Sequence, residues 1–148
     1  MTKHFPALAM IVLAGVACAR ADDAPSLKTK GPEPREVSLG GQELKLADYL
    51  VPGKTTIFDF FSQFCPPCRA IAPMVKKLHE ARSDIAVVEI DINRPGLSSI
   101  DWESPVAKEF QLDSIPHFKV FGPDGKLIAE GDDVRSIVMN WIQGSVSF

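Results

Sequence analysis

The sequence predicts an α/β fold in three layers, with a central mixed β-sheet flanked by helices and an additional N-terminal β-hairpin. Two nearly continuous apolar runs, residues 55–61 and 85–92, are typical of central strands that are buried on both faces. The segment between them repeats its apolar residues with a period of 3.6, as an amphipathic helix does. A hairpin pattern at residues 118–130 adds two strands, so we expect both parallel and antiparallel pairing.

The first 21 residues predict a secretory signal peptide. Lys3 and His4 precede an apolar run over residues 7–17, and an Ala-Arg-Ala cleavage pattern ends at Ala21. Cys18 raises the alternative of a lipid anchor, but residues 15–17 lack the usual large aliphatic residue, so we favour cleavage after Ala21. We therefore expect an exported, periplasmic protein whose mature chain keeps two cysteines.

The mature chain is expected to form one domain with a flexible leader. Residues 22–36 are rich in proline, lysine and acidic residues and show no periodicity, which predicts a leader without regular structure. Residues 37–148, in a chain that is 45% hydrophobic, are enough for one domain with a substantial core.

The elements of this domain follow from local patterns. Residues 37–46 alternate apolar and polar around Gly40-Gly41, which predicts the N-terminal hairpin, and a helical turn follows at 47–50. After the strand at 55–61, the helix predicted beyond residue 65 contains Pro73, which should kink it. Ser104 as N-cap and Pro105 at the first helical position predict a helix at 104–110, and a closing helix is expected at 134–142.

The most informative motif is Cys65-Pro66-Pro67-Cys68, where the strand at 55–61 gives way to the helix. Two intervening residues let one helical turn bring both sulfurs together, with Cys65 at the helix start. There the helix dipole and the free N–H groups favour a thiolate, the form that attacks disulfides. Both prolines suit a first helical turn, where a missing N–H costs little. We predict that Cys65 is an exposed nucleophile and Cys68 the resolving thiol.

Composition excludes several classes of function. Loss of Lys3 and Arg20 with the signal peptide leaves 14 basic and 19 acidic residues, a net charge of −5. No basic patch indicates binding of nucleic acid or of an anionic membrane. No stretch of the mature chain reaches the roughly 20 apolar residues of a membrane span. One pair of cysteines does not make a disulfide scaffold.

Together these residues resemble the thioredoxin superfamily over residues 37–144. The matching features are Asp59 six residues before the first cysteine, the Cys-x-x-Cys motif, Pro73, and Ile115-Pro116 before a hairpin strand. The signal peptide and the N-terminal hairpin favour similarity to exported, TlpA-type members. The resemblance implies a thioredoxin-like fold. In this family a position near the acid that Asp59 matches often holds a lysine, and we assign Val87 to this position.

The resemblance also implies roles for single residues. Asp59 would be the buried general acid/base that exchanges a proton with Cys68, and Pro116 would be a cis-proline against the dithiol. Residues expected to contact the substrate are Phe64, Pro66, Pro67, Ile115 and His117. His117 has two further interpretations: a packed strand histidine, or a third ligand completing a metal site with Cys65 and Cys68.

These observations predict an exported thiol-disulfide oxidoreductase that acts on protein disulfides or dithiols, without a cofactor and as a monomer. We favour the reductive direction, which requires a membrane electron donor because the periplasm has no reducing buffer. Three alternatives remain: a disulfide-introducing oxidant, a copper or zinc delivery module that uses the same cysteines, and a binding module in which Cys65–Cys68 is a permanent structural disulfide. The short loop between the two cysteines disfavours the third, because such a disulfide stabilises a fold little.

Overall fold

The computed structural model describes residues 29–37 and 40–145. The elements in this part of the chain are, in order, β1 (Arg35–Val37), a 3₁₀ helix (Leu46–Tyr49), β2 (Thr55–Phe61), α1 (Pro66–Ala81), β3 (Ile85–Asp91), α2 (Pro105–Glu109), β4 (His117–Phe121), β5 (Leu127–Glu130) and α3 (Asp132–Ser145). The signal peptide, Cys18 and residues 22–28 of the predicted leader lie outside the described residues. No helix among the residues described is long and apolar enough to cross a membrane.

The strands form one mixed five-stranded sheet in the order β1-β3-β2-β4-β5. β1, β3 and β2 run parallel, whereas β4 is antiparallel to β2 and to β5. The predicted mixed sheet with flanking helices is therefore confirmed. The central position of β2 explains its apolar sequence, because both of its faces are covered.

Each face of the sheet has its own core. On one face α1 and α3 cover Ile57, Val87 and Phe118. On the other face α2 and the 3₁₀ helix cover Phe58 and Phe60. Side chains alternate between the faces along each strand, so one strand supplies both cores. As predicted, Ser104 caps α2, since its side chain accepts a hydrogen bond from the Ala107 N–H at 3.2 Å.

The predicted N-terminal hairpin is wrong. β1 begins at Arg35, inside the predicted leader, and pairs in parallel with β3 instead of folding back on a following strand. Residues 42–45 form no strand. The Gly40-Gly41 turn serves another purpose, because the Gly41 carbonyl accepts the N–H of Val106 in the first turn of α2 at 3.0 Å.

The described part of the predicted leader is held against α1. Lys30 donates hydrogen bonds to the carbonyls of His79 and Arg82 at the end of this helix, where a cation is favoured. Glu33 forms an ion pair with Lys76 at 2.7 Å. His79, which its sequence pattern places on the polar side of the helix, is instead buried. The folded unit therefore starts before residue 37.

Candidate active site

A short turn connects β2 to α1 and places the two cysteines. Ser62 is fully buried; its hydroxyl accepts the Phe64 N–H at 3.1 Å, and its carbonyl accepts the Cys65 N–H at 3.0 Å. This turn brings the chain directly into the first helical residue, Pro66. A lone serine in a turn carries no specific sequence signal, so this position of Ser62 could not be predicted from the sequence.

Cys65 and Cys68 form a disulfide, with their Cα atoms 5.3 Å apart. Cys65 is the N-cap of α1, and its sulfur accepts a hydrogen bond from the Cys68 N–H at 3.1 Å. Pro66 and Pro67 occupy the first helical positions and have no N–H. The first N–H of the helix is therefore directed at the Cys65 sulfur, an arrangement that favours negative charge on this atom.

Cys65 is not exposed as predicted. Only 1% of its surface is accessible, because the loop before β4 covers it. The Cys65 Sγ lies 3.6 Å from the Ile115 carbonyl oxygen, and the Ile115-Pro116 peptide bond is cis. A disulfide sulfur has no proton to donate, so this approach is a contact. A partner sulfur can reach Cys65 only when the covering residues move.

Asp59 lies on the face of the sheet that α1 covers, in register with Phe118 of β4. It is only 4% exposed, and its Oδ1 has no hydrogen-bond partner. Burial, and secondarily the charge of Glu89, raises the pKa of Asp59 to about 8. Asp59 therefore holds a proton near neutral pH and can release it within the physiological range, as a general acid/base must.

The residue in register with Asp59 on β3 is Glu89, whereas Val87, which we assign to the position that often holds a lysine, lies two residues earlier on the same face of the sheet. The parallel register pairs Asp59 with Glu89 and Ile57 with Val87. The side chain of Glu89 is half-buried, and its pKa is raised by burial and by Glu36. Sequence reasoning missed Glu89 because the register between β2 and β3 cannot be read from either strand alone.

A comparison with protein-family models matches residues 47–142 to the thioredoxin family. The chain belongs to the thioredoxin family. This thioredoxin domain is 32% identical over 77 residues to thioredoxin F2 of Arabidopsis thaliana chloroplasts, covering 52% of this chain and 37% of the relative. It is 36% identical over 73 residues to thioredoxin-2 of Saccharomyces cerevisiae, covering 49% and 62%. The chain thus spans less than two thirds of these relatives' lengths.

Solved structures give the same fold for this thioredoxin domain. Spinach chloroplast thioredoxin F matches with a TM-score of 0.51 at 23% identity, over 76% of this chain and 88% of the other. A mutant thioredoxin of Halobacterium salinarum matches with a TM-score of 0.53 at 22% identity, over 77% and 95%. At these identities the similarity establishes the fold.

The predicted substrate-contact residues of the thioredoxin domain fall into two groups. Pro66 and Pro67 are exposed and Phe64 and Ile115 half-buried around the disulfide. His117 points to the opposite face, where its ring lies 6.0 Å from that of Phe60. It lines an open groove with residues that include Glu109, Phe110, Lys119 and Glu130. The packed-histidine interpretation therefore fits better than a shared metal site, and the described residues contain no cluster of three metal-ligating side chains.

The loop between β3 and α2 is braced from inside. Asp101 is buried, and both of its carboxylate oxygens bind the Arg94 guanidinium, at 2.6 and 2.9 Å. The Asn93 side chain donates to the Ser99 carbonyl at 2.7 Å. These bonds hold Leu97 and Trp102 at the surface, although both are large and apolar. Loss of water from such residues on contact makes them suitable for partner binding.

Proposed function

We propose that this protein is an exported thiol-disulfide oxidoreductase that reduces disulfides in other proteins. The observation that carries the proposal is the disulfide at the start of α1, where the Cys65 sulfur receives the first N–H of the helix. This geometry stabilises Cys65 as a thiolate and therefore as both nucleophile and leaving group.

The reaction follows from the positions of the two sulfurs. In the reduced protein the Cys65 thiolate attacks a substrate disulfide, and one substrate sulfur leaves with the bonding electrons and takes up a proton. Asp59 first releases its own proton, and Cys68 then gives its proton to the resulting carboxylate and attacks the Cys65 sulfur of the mixed disulfide. The second substrate sulfur leaves with the bonding electrons and takes up a proton from solvent, and the Cys65–Cys68 disulfide forms.

Export and the electron source belong to the same proposal. The N-terminal sequence has the composition of a signal peptide, and an exported reductase cannot draw on a cytosolic thiol pool. Its disulfide would therefore be reduced by a membrane donor. We propose a periplasmic location and a monomeric protein without a cofactor.

The first test is reduction of insulin by the mature chain in its dithiol form, with dithiothreitol as the electron source. Cys65→Ser should abolish catalysis, whereas Cys68→Ser should accumulate a mixed disulfide with insulin that mass spectrometry detects. Ser114→Ala is the control. It changes an exposed side chain in the loop before β4 and should leave the rate unchanged. Equal activity of Cys65→Ser and the unchanged protein would refute the proposal.

The reduction potential decides the direction of electron flow. The potential of the Cys65–Cys68 pair is measured against glutathione or dithiothreitol with metals excluded. A value of about −270 mV fits a reductase. A value near about −120 mV would instead indicate an oxidant that introduces disulfides.

A further inference from the structure

Three carboxyl side chains lie in one row across the sheet. The parallel registers pair Glu36 of β1 with Glu89 of β3, and Glu89 with Asp59 of β2. Residues in register on neighbouring strands point to the same face, and strands are about 4.8 Å apart. Asp59 shares the α1 face with Ile57, and Glu89 shares it with Val87. The row therefore crosses three strands beneath α1.

Exposure decreases along this row. Glu36 is exposed, Glu89 is half-buried and Asp59 is buried. Glu36 and Glu89 line an open groove of about 550 Å³ between the N-terminal segment and α1. The row thus leads from an open groove at the sheet edge to an acid that solvent does not reach.

The side of α1 above the groove is cationic and lacks one backbone donor. Arg69, Ala72, Pro73 and Lys76 line the groove from α1, and Glu33 and Pro34 line it from the N-terminal segment. Pro73 has no N–H, so the Arg69 carbonyl loses its helical hydrogen bond. Lys76 is engaged by Glu33 at 2.7 Å and by Glu80 at 3.9 Å, which limits the charge it offers to Glu89. On the other side of Asp59, β4 contributes the uncharged Phe118.

The Oδ1 atom of Asp59 has no hydrogen-bond partner, which an isolated structural carboxyl group would not tolerate without cost. An acid that exchanges protons must regain them from solvent, and Asp59 is only 4% exposed, so it has little direct contact with solvent. Glu89 is a titratable group in register beside Asp59, and burial raises the pKa of its carboxyl group, so it takes up a proton more readily than an exposed glutamate does.

From this arrangement we propose that Glu89, with Glu36 behind it, passes protons between the solvent in the groove and Asp59. Glu89 is then a positioning residue that acts on the dithiol only through Asp59. The inference rests on the proposed exchange function, in which Asp59 serves Cys68. At the spacing of neighbouring strands, each transfer requires rotation of a carboxyl group or one bridging water.

The proton transfers are easiest to follow in the step that reduces the Cys65–Cys68 disulfide. A donor thiolate bonds to the Cys65 sulfur, the Cys65–Cys68 bond breaks, and Cys68 leaves with the electron pair. Asp59 gives its proton to the Cys68 sulfur and becomes a carboxylate. Glu89 transfers a proton to Asp59 and regains one from the groove, directly or through Glu36. Substrate reduction runs the same transfers in reverse.

The first experiment is a carboxyl ¹³C NMR titration of the disulfide form, which requires no turnover. In the unchanged protein the Asp59 and Glu89 signals should each show two titration steps, because neighbouring acids titrate as a pair. Glu89→Gln should leave Asp59 with one step at a lower pH, since the neighbouring charge is gone. An Asp59 curve that is unchanged by Glu89→Gln would overturn the inference.

The second experiment measures the rate at which dithiothreitol reduces the disulfide, between pH 5 and 9. Glu89→Gln should slow this step about tenfold below pH 8 and shift its pH profile, a modest share of what general acids contribute. Glu36→Gln should have a smaller effect in the same direction, and Glu43→Gln, an exposed acid outside the row, should have none. Superimposable profiles for Glu89→Gln and the unchanged protein would overturn the relay.

The two proposals fail in different ways. If the protein does not reduce insulin, the proposed function fails, while the titration of Asp59 still decides whether Glu89 is coupled to it. If insulin reduction requires Cys65 but Glu89→Gln changes neither the titration nor the pH profile, the relay alone fails.

Discussion

Asp59 shows at the scale of one residue how a buried carboxyl group lowers stability. Its carboxyl group is buried without a partner for Oδ1, and its pKa is raised from 3.8 to about 8. Between these two pH values the native state holds more protons than the unfolded state. Stability therefore decreases as pH rises through this window, by up to about 1.4 kcal/mol per pH unit.

We expect Asp59→Asn to remove this dependence. Asparagine does not ionise, so the disulfide form of the variant should be more stable than the unchanged protein at pH 8, with a smaller difference at pH 5. Urea unfolding at both pH values, without reductant, measures the effect. Glu43→Gln, which removes an exposed acid, should keep the original slope. A slope that persists in Asp59→Asn would show that another group carries it.

Sequence reasoning identified single residues where the spacing along the chain is itself the signal. Cys65, Cys68 and Pro73 lie at fixed distances in one segment, and Asp59 precedes them in the same strand–helix unit. Glu89 and Glu36 could not be identified in this way. Their position in one row with Asp59 depends on strand register, which the sequence of one strand does not determine. The burial of Cys65 also depends on a distant loop, at Ile115.

At the scale of elements, the start of the sheet differs from the prediction, because Arg35 and Glu36 of β1 lie in the predicted leader and β1 pairs with β3 instead of with a hairpin partner. The alternation of apolar and polar residues at 37–46 is compatible with a hairpin, and the Gly-Gly pair suggests its turn. Gly41 has another role, because its φ is +70° and a Cβ there would lie 3.0 Å from the Ser104 Cβ. The glycine allows close approach to the start of α2, so the chain does not fold back as a hairpin.

His79 of α1 connects β3, the next element along the chain, with the N-terminal segment at Gly31, which lies far from both in the sequence. Its Nδ1 accepts the Val87 N–H of β3 at 2.9 Å, and its Nε2 lies 3.0 Å from the Gly31 carbonyl oxygen. An N–H only donates and a carbonyl only accepts, so the proton must be on Nε2. Burial lowers the pKa of His79, because the charged ring would lose water and present a second donor to Val87.

We expect His79→Ala to destabilise the protein by about 1–3 kcal/mol at pH 7.5, because it leaves the buried Val87 N–H unpaired. The native pKa lies below the unfolded value of 6.5, so the stabilisation from His79 is present above pH 6.5 and decreases as pH falls. Urea unfolding at pH 7.5 and pH 5 should therefore show a smaller difference at pH 5. His79→Gln, which keeps an acceptor and a donor, should cost less than His79→Ala. Equal differences at both pH values would contradict this account.

At the scale of the whole molecule, sheet topology places three loops at the same end of the sheet, where β2 and β3 end and β4 begins. β2 and β3 are parallel, so the dithiol turn after β2 and the loop after β3 emerge on the same side. β4 is antiparallel to β2, so Pro116, which precedes it, lies at this end as well. Trp102, 38% exposed, belongs to the loop that Arg94 and Asp101 brace. The apolar residues of this loop can be read from the sequence, but its position at the same end of the sheet as the dithiol follows only from the strand directions.

We therefore expect Trp102 to contribute to the recognition of protein substrates and not to the exchange chemistry. Trp102→Ser should raise the KM for insulin about 5- to 10-fold, as loss of a contact worth 1–1.4 kcal/mol would. The reaction with a small aromatic disulfide should be unchanged, because such a probe reaches only the sulfurs. Steady-state rates with both substrates measure the difference.

Ile128 provides a matched control for this prediction. It is 59% exposed on β5, whose neighbouring residue Leu127 pairs with Phe121 at the end of β4 farthest from Pro116. Ile128→Ser removes a comparable apolar side chain away from the dithiol and should change neither KM. If Trp102→Ser and Ile128→Ser behave alike, exposure alone does not mark a docking surface. If Trp102→Ser slows both substrates equally, Trp102 supports the dithiol itself, and substrate recognition depends on other residues at this end of the sheet.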